Sequence, residues 1–370
     1  MLDIFLSRSK MIQAINAAGK AVPTRTTLPI LECFLLEAKN GKISLMANDM
    51  EMAIRCVVDG TIIEEGKIAL DSRIFSDIIK KMPEEEIHIK VETNLTVIIS
   101  SGASVQNLAG NNGEDFIGMP TLDKGTPVVI SQLSLKNIIE KTIFCTAPND
   151  SNKMMTGELF EIKNNVLRVA AVDGYRIAIR YCVLNEYYES KSVIVPGKTL
   201  NDISRILSGD SGKNVEIFLG KNHILFSFED TTLVSRLIDG DYFRIDQMIT
   251  NNFETRLTLN RKDFLAAIDR SMTFVRESDK KPVVLDITDQ GMTLSLTSNI
   301  GSMTEKVPVE KSGSNLMIGF NPRFLIDALK AVEDEKINLY LTNSRAPGFI
   351  RDEEGTFIYL ILPVNFVSRG

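Results

Sequence analysis

Residues 41–55 read GKISLMANDMEMAIR, and residues 165–180 read NVLRVAAVDGYRIAIR. Both pass from a turn through an apolar–polar alternation to Ala, an aspartate and then Ala-Ile-Arg. Asp49 and Asp173 are 124 residues apart. A third, more degenerate copy follows: Leu45-Met46-Ala47-Asn48 resembles Leu296-Thr297-Ser298-Asn299, 251 residues on. Helix-like segments keep the same step. SRSKMIQAINAA (7–18) recurs as SLKNIIEKTIF (134–144) and NRKDFLAAIDRSM (260–272). SRIFSDIIKKM (72–82) recurs as GKTLNDISRIL (197–207) and NPRFLIDALKAV (321–332), with Asp77, Asp202 and Asp327 at intervals of 125. Each segment has apolar residues at helical spacing and Ser, Gly or Asn near its start. Short runs between them, such as CFLLEA, KISLMA, IHIKVE and LTVIIS, are bounded by Gly, Asn and Asp and predict strands.

The repeat is far longer than a solenoid unit of roughly 20–50 residues. Each copy is long enough to bury its own core. The sequence therefore predicts an α+β chain of three tandem domains of one fold, each with two helices against antiparallel sheets, at 1–122, 127–247 and 252–370. The links TLDKGTP (121–127) and ITNNFE (249–254) have the polar, Gly and Pro content of connectors.

The 370 residues are 44% hydrophobic and 24% charged, a soluble globular profile. No apolar run approaches the roughly 20 residues of a membrane helix. The opening MLDIFLSRSK lacks a signal-peptide core. Cys33, Cys56, Cys145 and Cys182 are scattered with no CxxC, which predicts reduced core residues in a cytoplasmic protein. Net charge is −6, so any DNA-binding surface must concentrate positive charge on one face.

The repeat shows where such a face lies. Arg73, Lys198 and Arg323 recur at intervals of 125, as do Lys80, Arg205 and Lys330, while Lys10, Lys136 and Lys262 recur at 126. The two basic positions of the second helix are seven apart, which returns them to one face with a drift of only about 20°. A single helix with lysines on it is an ordinary solvated face. Nine basic residues in register on three copies predict one positive surface that attracts phosphates without reading bases. No aromatic stacking platform accompanies them, which disfavours a single-strand binder.

Thr27-Leu28-Pro29-Ile30-Leu31 after a loop carrying Arg25, Asp173-Gly174-Tyr175-Arg176 in the second copy, and the ending Tyr359-Leu-Ile-Leu-Pro363-Val, together with three alike domains, resemble the bacterial DNA polymerase III beta subunit family, the sliding clamps. The resemblance covers the whole chain. It implies a head-to-tail homodimer, a ring of six domains around duplex DNA, with helices lining the hole and Arg25 joining the DNA-facing residues. It implies contact of domain 1 with domain 3 of the partner, carried here by Gln106 and Leu108 against Thr273 and Phe274; Gln106 is more polar than the family pattern, and Phe274 also suits a core position. It implies a pocket between domains 2 and 3 for short apolar linear motifs. Its partners would be the polymerase III alpha subunit, the clamp loader delta subunit, repair and translesion polymerases, and mismatch-repair proteins. The matching positions are Met155, Val172, Gly174, Tyr175, Arg176, Ile177, Arg244, Ile245, Leu360, Ile361, Leu362, Pro363 and Val364. Gly240 stands where proline is common and Arg345, a further rim position, where an apolar residue is common, so the rim and the peptide preference depart from the family pattern. No cofactor, metal or membrane is implied.

Two rival readings weaken against the same residues. An enzyme using Asp49 and Asp173 meets Ile300 at the aligned place in the third copy. The two histidines, His88 and His223, lie in an alternating strand and a turn, with no nucleophile constellation. GTIIEEGKI (60–68) departs from a phosphate loop in glycine spacing and in the residue after Lys67. A three-domain scaffold binding proteins alone has no need of registered basic faces. Asp49 and Asp173 are expected to serve the fold by turning the chain at equivalent strand ends.

Overall fold

The structure, a computed structural model, describes residues 2–122, 125–276 and 281–366. Asp123 and Lys124 of the first link lie outside the described residues. Helices occur twice per repeat: α1 (Arg8–Ala18) and α2 (Ser72–Lys81), α3 (Gln132–Glu140) and α4 (Gly197–Ile206), α5 (Arg261–Ser271) and α6 (Pro322–Ala331). Their starts follow local chemistry. Ser7 accepts from the Lys10 amide at 3.2 Å, and Asp71 accepts from the Ile74 amide at 2.8 Å. Asn260 caps α5 and Asn321 caps α6, where Pro322 sits at the first turn and forfeits no helical bond. Phe75, Ile78 and Ile79 bury one face of α2, and Leu325, Ile326 and Leu329 one face of α6.

The chain divides into two compact units, Met1–Leu133 with Arg205–Leu237 and Ser134–Ser204 with Ile238–Gly370. Each unit therefore draws on more than one repeat, and the reason is strand pairing. In the first unit, Met52–Val58 of copy one pairs antiparallel with Thr231–Arg236 of copy two, from Thr231↔Cys56 to Ser235↔Met52, within a nine-stranded sheet. In the second unit, Arg176–Pro196 of copy two pairs with Phe357–Ile361 of copy three, from Arg176↔Ile361 to Arg180↔Phe357, within a seven-stranded sheet. These are equivalent strands meeting in the same way. Unpaired strand edges carry unsatisfied N–H and C=O groups, so neighbouring copies join by sharing a ladder. The cores follow: Cys145, Ala171 and Ala178 of copy two lie in one cluster with Leu257, Phe264 and Phe320 of copy three.

Two edges remain. Ser104–Ala109 ends the five-stranded sheet of the first unit, and Ser302–Val307 ends the four-stranded sheet of the second. Among the described residues neither has a strand on its outer side.

The opening phrase turns the chain as expected, with one correction. Asp49 accepts from the Glu51 and Met52 amides at 3.0 and 2.7 Å, and its own amide donates to Met52 O at 3.0 Å. Asp173 does the same with Tyr175, Arg176 and Arg176 O. In the third copy the Ser298 amide donates to Gly301 O at 2.9 Å, and Ser298 Oγ accepts from the Ile300 amide. The residue equivalent to Asp49 is thus Ser298, not Ile300. A hydroxyl oxygen satisfies the same turn amides as a carboxylate, so the shared Leu…Asn lettering misled the alignment by two places.

GTIIEEGKI runs through the strands Gly60–Glu64 and Gly66–Asp71, not a loop opening a helix. His88 bonds Asp3 at 2.7 Å and stacks on Phe5. Cys33, Cys56 and Cys145 are buried, but Cys182 is only half-buried, so it is not a core residue. Among the described residues no helix is long and apolar enough to cross a membrane.

Candidate functional site

In the second unit the strands lay four side chains in a row: Val172 faces Ile177, Ile177 faces Leu360, and Leu360 faces Phe349. Directly opposed side chains stand about 4.5–5.5 Å apart at Cβ, so the row is one continuous apolar strip. Ile245 joins it, with Leu159, Ala170 and Ile179. Of the residues singled out from sequence, Val172, Ile177, Ile245 and Leu360 are brought together here and buried.

The rim comes from the turn. Gly174 has φ +84°, a conformation that costs glycine nothing, and a side chain there would meet the Met155 methyl. Tyr175 is 59% exposed and Leu362 38% exposed. The Leu362 amide donates to Tyr175 O at 2.9 Å, which holds the two together. Pro363 and Val364 follow, half-buried, with the Val364 amide donating to Gly319 O. Arg244 and Arg345 are exposed.

Two expected residues face away. Ile361 alternates with Leu360 and enters the main core. Arg176 is buried: its Nε donates to Asp173 at 2.8 Å, Nη1 to Asp327 at 2.6 Å and Nη2 to Phe144 O at 2.6 Å, with the guanidinium 4.3 Å from the Phe324 ring. Tyr175 stands over the same Phe324 from outside, ring centres 6.2 Å apart. Arg176 thus braces the strand carrying the site to α6.

Gly240 has φ +127°, and a Cβ there would lie 2.5 Å from the Met154 methyl. Proline, locked near −65°, does not fit this backbone. Sequence reasoning missed Tyr242, whose hydroxyl donates to Ala170 O at 3.2 Å, and Phe253, which packs on Tyr340 and Phe349. Phe253 lies on the second link and Tyr242 shortly before it, and the aromatic content of this stretch was the signal available.

The basic residues are placed as follows. Arg73, Lys80, Lys198, Arg205, Arg323 and Lys330 are all exposed on their helices, as are Lys10, Lys262 and, in its loop, Arg25; Lys136 is half-buried. On the edge strand Ser104–Ala109, Leu108 is already buried by its own sheet, Gln106 is half-buried and Val105 is 63% exposed. Thr273 is exposed and Phe274 packs half-buried against the second unit's core.

One buried group stands apart. Glu158 is fully buried, and burial raises its carboxyl to about 8 against a lowering bond to Thr142. Thr142 Oγ1 lies 2.8 Å from Ile138 O and 3.2 Å from Glu158 Oε2. The hydroxyl donates to Glu158 Oε2, while Oε1 is buried without a hydrogen-bond partner among the described residues, so little offsets the burial that favours a neutral Glu158.

Comparison with known proteins fits this architecture. Three family models match in order: the DNA polymerase III beta subunit N-terminal domain over 2–122, its central domain over 129–243 and its C-terminal domain over 246–365. The beta sliding clamp of Staphylococcus epidermidis is 32% identical, over 99% of this chain and 100% of that protein. A solved structure named as a DNA polymerase III beta subunit, from Eubacterium rectale, is 48% identical with TM-score 0.97, covering 99% of this chain and 100% of that one. A Pseudomonas aeruginosa sliding clamp solved with griselimycin bound is 25% identical with TM-score 0.92, covering 99% of this chain and 100% of that one. The chain belongs to the DNA polymerase III beta subunit family, the bacterial beta sliding clamps, non-enzymatic processivity factors of DNA replication.

Proposed function

We propose that two copies of this chain close head to tail around duplex DNA, with domains near 1–122, 127–247 and 252–370. The carrying observation is that successive copies join twice by the same strand pairing, while the counterpart strands at the two ends of the series, Ser104–Ala109 and Ser302–Val307, are sheet edges. The turn equivalence sets Gly301–Glu305 in the role of Met52–Cys56. The hairpin equivalence, Ser101↔Ser104 against Phe228↔Thr231, sets Ser104–Leu108 in the role of Thr231–Ser235. Carrying the register over pairs Thr304 with Val105 and Met303 with Gln106 across the subunit boundary. Both half-buried side chains, Met303 and Gln106, then share one face, backed by Leu108 and Phe274. This places the polar Gln106 opposite a flexible thioether, a tolerant pairing.

The exposed basic residues of the helices then face the duplex as a sequence-independent phosphate surface. The apolar row rimmed by Tyr175 and Leu362 takes short apolar motifs of the replicative polymerase, clamp loader, repair and translesion polymerases and mismatch-repair proteins. An aliphatic floor with few polar groups suits such an anchor, and the setting is the cytoplasm.

Thr304→Cys with Val105→Cys tests the closure. Opposed antiparallel residues lie within disulfide reach. Oxidation should give a covalent species of about 82 kDa, twice the 41.2 kDa chain. A monomer well above micromolar concentration, with no cross-link, contradicts the ring.

A further inference from the structure

One position in the two inner junctions carries opposite chemistry, and its counterpart at the chain's free edge differs from both. In the second junction Arg180 faces Phe357 across the shared ladder. Its Nη2 donates at 2.6 Å to the carbonyl of Ala331, the last residue of α6, and its Nε donates to the Tyr359 hydroxyl at 2.9 Å. Ala331 is buried in one core cluster with Cys145, Ala171 and Ala178 of copy two. In the first junction the same position is Cys56, buried opposite Thr231. A cation bridges one inner junction here, and a small apolar side chain fills the other.

In the third copy this place falls to Glu305. The turn amides of Asp173 and Ser298 donate to Arg176 O and Gly301 O, and Arg180 and Glu305 each follow four residues later. Their neighbours agree, since Arg180 faces Val169 and Glu305 faces Leu294. Helices α2 and α6 are equal in length, so Lys81 ends α2 where Ala331 ends α6. Gln106 likewise takes the place of Tyr359. Lys81 is exposed in the single chain. Closure in the register of the inner junctions carries it into the buried place of Ala331, beside Glu305. A lysine that loses water needs a carboxylate, and Glu305 is the one this register supplies. Its carboxylate is already turned toward the helix face by Arg270, whose Nε donates to it at 3.0 Å. Two carboxylate oxygens have lone pairs for both cations.

We infer that Lys81 of one copy pairs with Glu305 of the next where the ring closes. The partner of this surface is a second copy of the chain, and the inference rests on the head-to-tail reading above. The pair makes the closing junction sensitive to ionic strength, because salt screens a pair at a sheet edge. It also fixes the pairing: each copy offers a cation at one end and a carboxylate at the other, so head meets tail and like ends repel.

The test is a charge exchange in the full chain, read as the dimer dissociation constant by analytical ultracentrifugation. Lys81→Glu alone and Glu305→Lys alone each put like charges at both closing junctions, and each should raise the constant by about tenfold. An equimolar mixture of the two variants restores opposite charges at both junctions, as does Lys81→Glu/Glu305→Lys in one chain. Both should return to near the parent value. Single variants that dimerise as the parent does, or a mixture that stays weak, overturn the inference. A parent that is monomeric well above micromolar concentration overturns the ring reading instead. Should Glu305→Lys not fold, since it sets a lysine against Arg270, carbodiimide treatment of the parent decides. The reagent joins a contacting carboxylate and amine as an amide and takes up the water released. The covalent dimer should contain a Lys81–Glu305 linked peptide by mass spectrometry, and a linked dimer without it overturns the inference.

Discussion

Replacing Arg176 by alanine separates a brace from a peptide contact. The side chains of Arg176 and Asp173 are 10% and 11% exposed, and that of Asp327 is 38% exposed. Removing one partner of a buried pair costs about 3–5 kcal/mol, because the other charge stays buried. Asp327 is open enough for water to repay part of its loss, which places the change near the low end. Phe144 O also loses its donor, at about 1 kcal/mol. Arg176→Ala should therefore cost about 3–4 kcal/mol, lowering Tm by roughly 10 °C for a unit of this size. Arg176→Lys keeps the charge but not the three-way fork and should recover less than half. Arg176→Met with Asp327→Leu should recover part of the loss, since one of the two uncompensated carboxylates goes too, Asp173 staying behind. Thermal unfolding by circular dichroism reads all four proteins, alongside titration with a polymerase tail peptide. If Arg176→Ala stays within about 0.5 kcal/mol of the parent while losing peptide affinity, the guanidinium serves the peptide and the brace is wrong.

Three further outcomes follow from the same geometry. A carboxyl raised to about 8 in the folded chain keeps a proton that the unfolded chain loses near 4.5, so stability falls as pH rises from about 4.5 to 8 and then levels. Glu158→Gln should flatten that slope and stabilise the chain at pH 8 by on the order of 4 kcal/mol, at about 1.4 kcal/mol per pH unit; an unchanged slope in denaturant melts contradicts it. Charge reversal at Lys198 and Arg205 should weaken DNA association and lower its salt slope by roughly 1 for each phosphate no longer neutralised, without changing Tm; unchanged association makes the basic registry incidental. Ending the chain after Leu362, which removes Pro363 and Val364, should abolish binding of polymerase tail peptides, and full affinity in a titration moves the site elsewhere.

The repeat, the helix faces and the turn aspartates were legible because each is local. Helical spacing alone sets Arg73 and Lys80 outward and Phe75 and Ile79 inward. Sheet partnership was not legible. Nothing within MAIRCVV names TTLVSR, over 170 residues away, as its neighbour; that choice depends on which edges remain open after each copy folds. The direction of Arg176 was hidden for the same reason, since Asp327 and Phe144 reach it only through the shared sheet. Residue type also misled. Ser298 replaces an aspartate in one turn, and Asn48, whose Nδ2 donates to Ile117 O, occupies the position of the apolar Val172.

Encirclement is the central claim, and topology tests it directly. The protein is loaded onto a nicked circular duplex with a bacterial clamp loader and ATP, the complex is isolated, and the circle is cut once. A ring held by linkage slides off the linear product, so the account predicts loss of the protein on cutting. Retention on the linear DNA contradicts it and indicates ordinary surface binding.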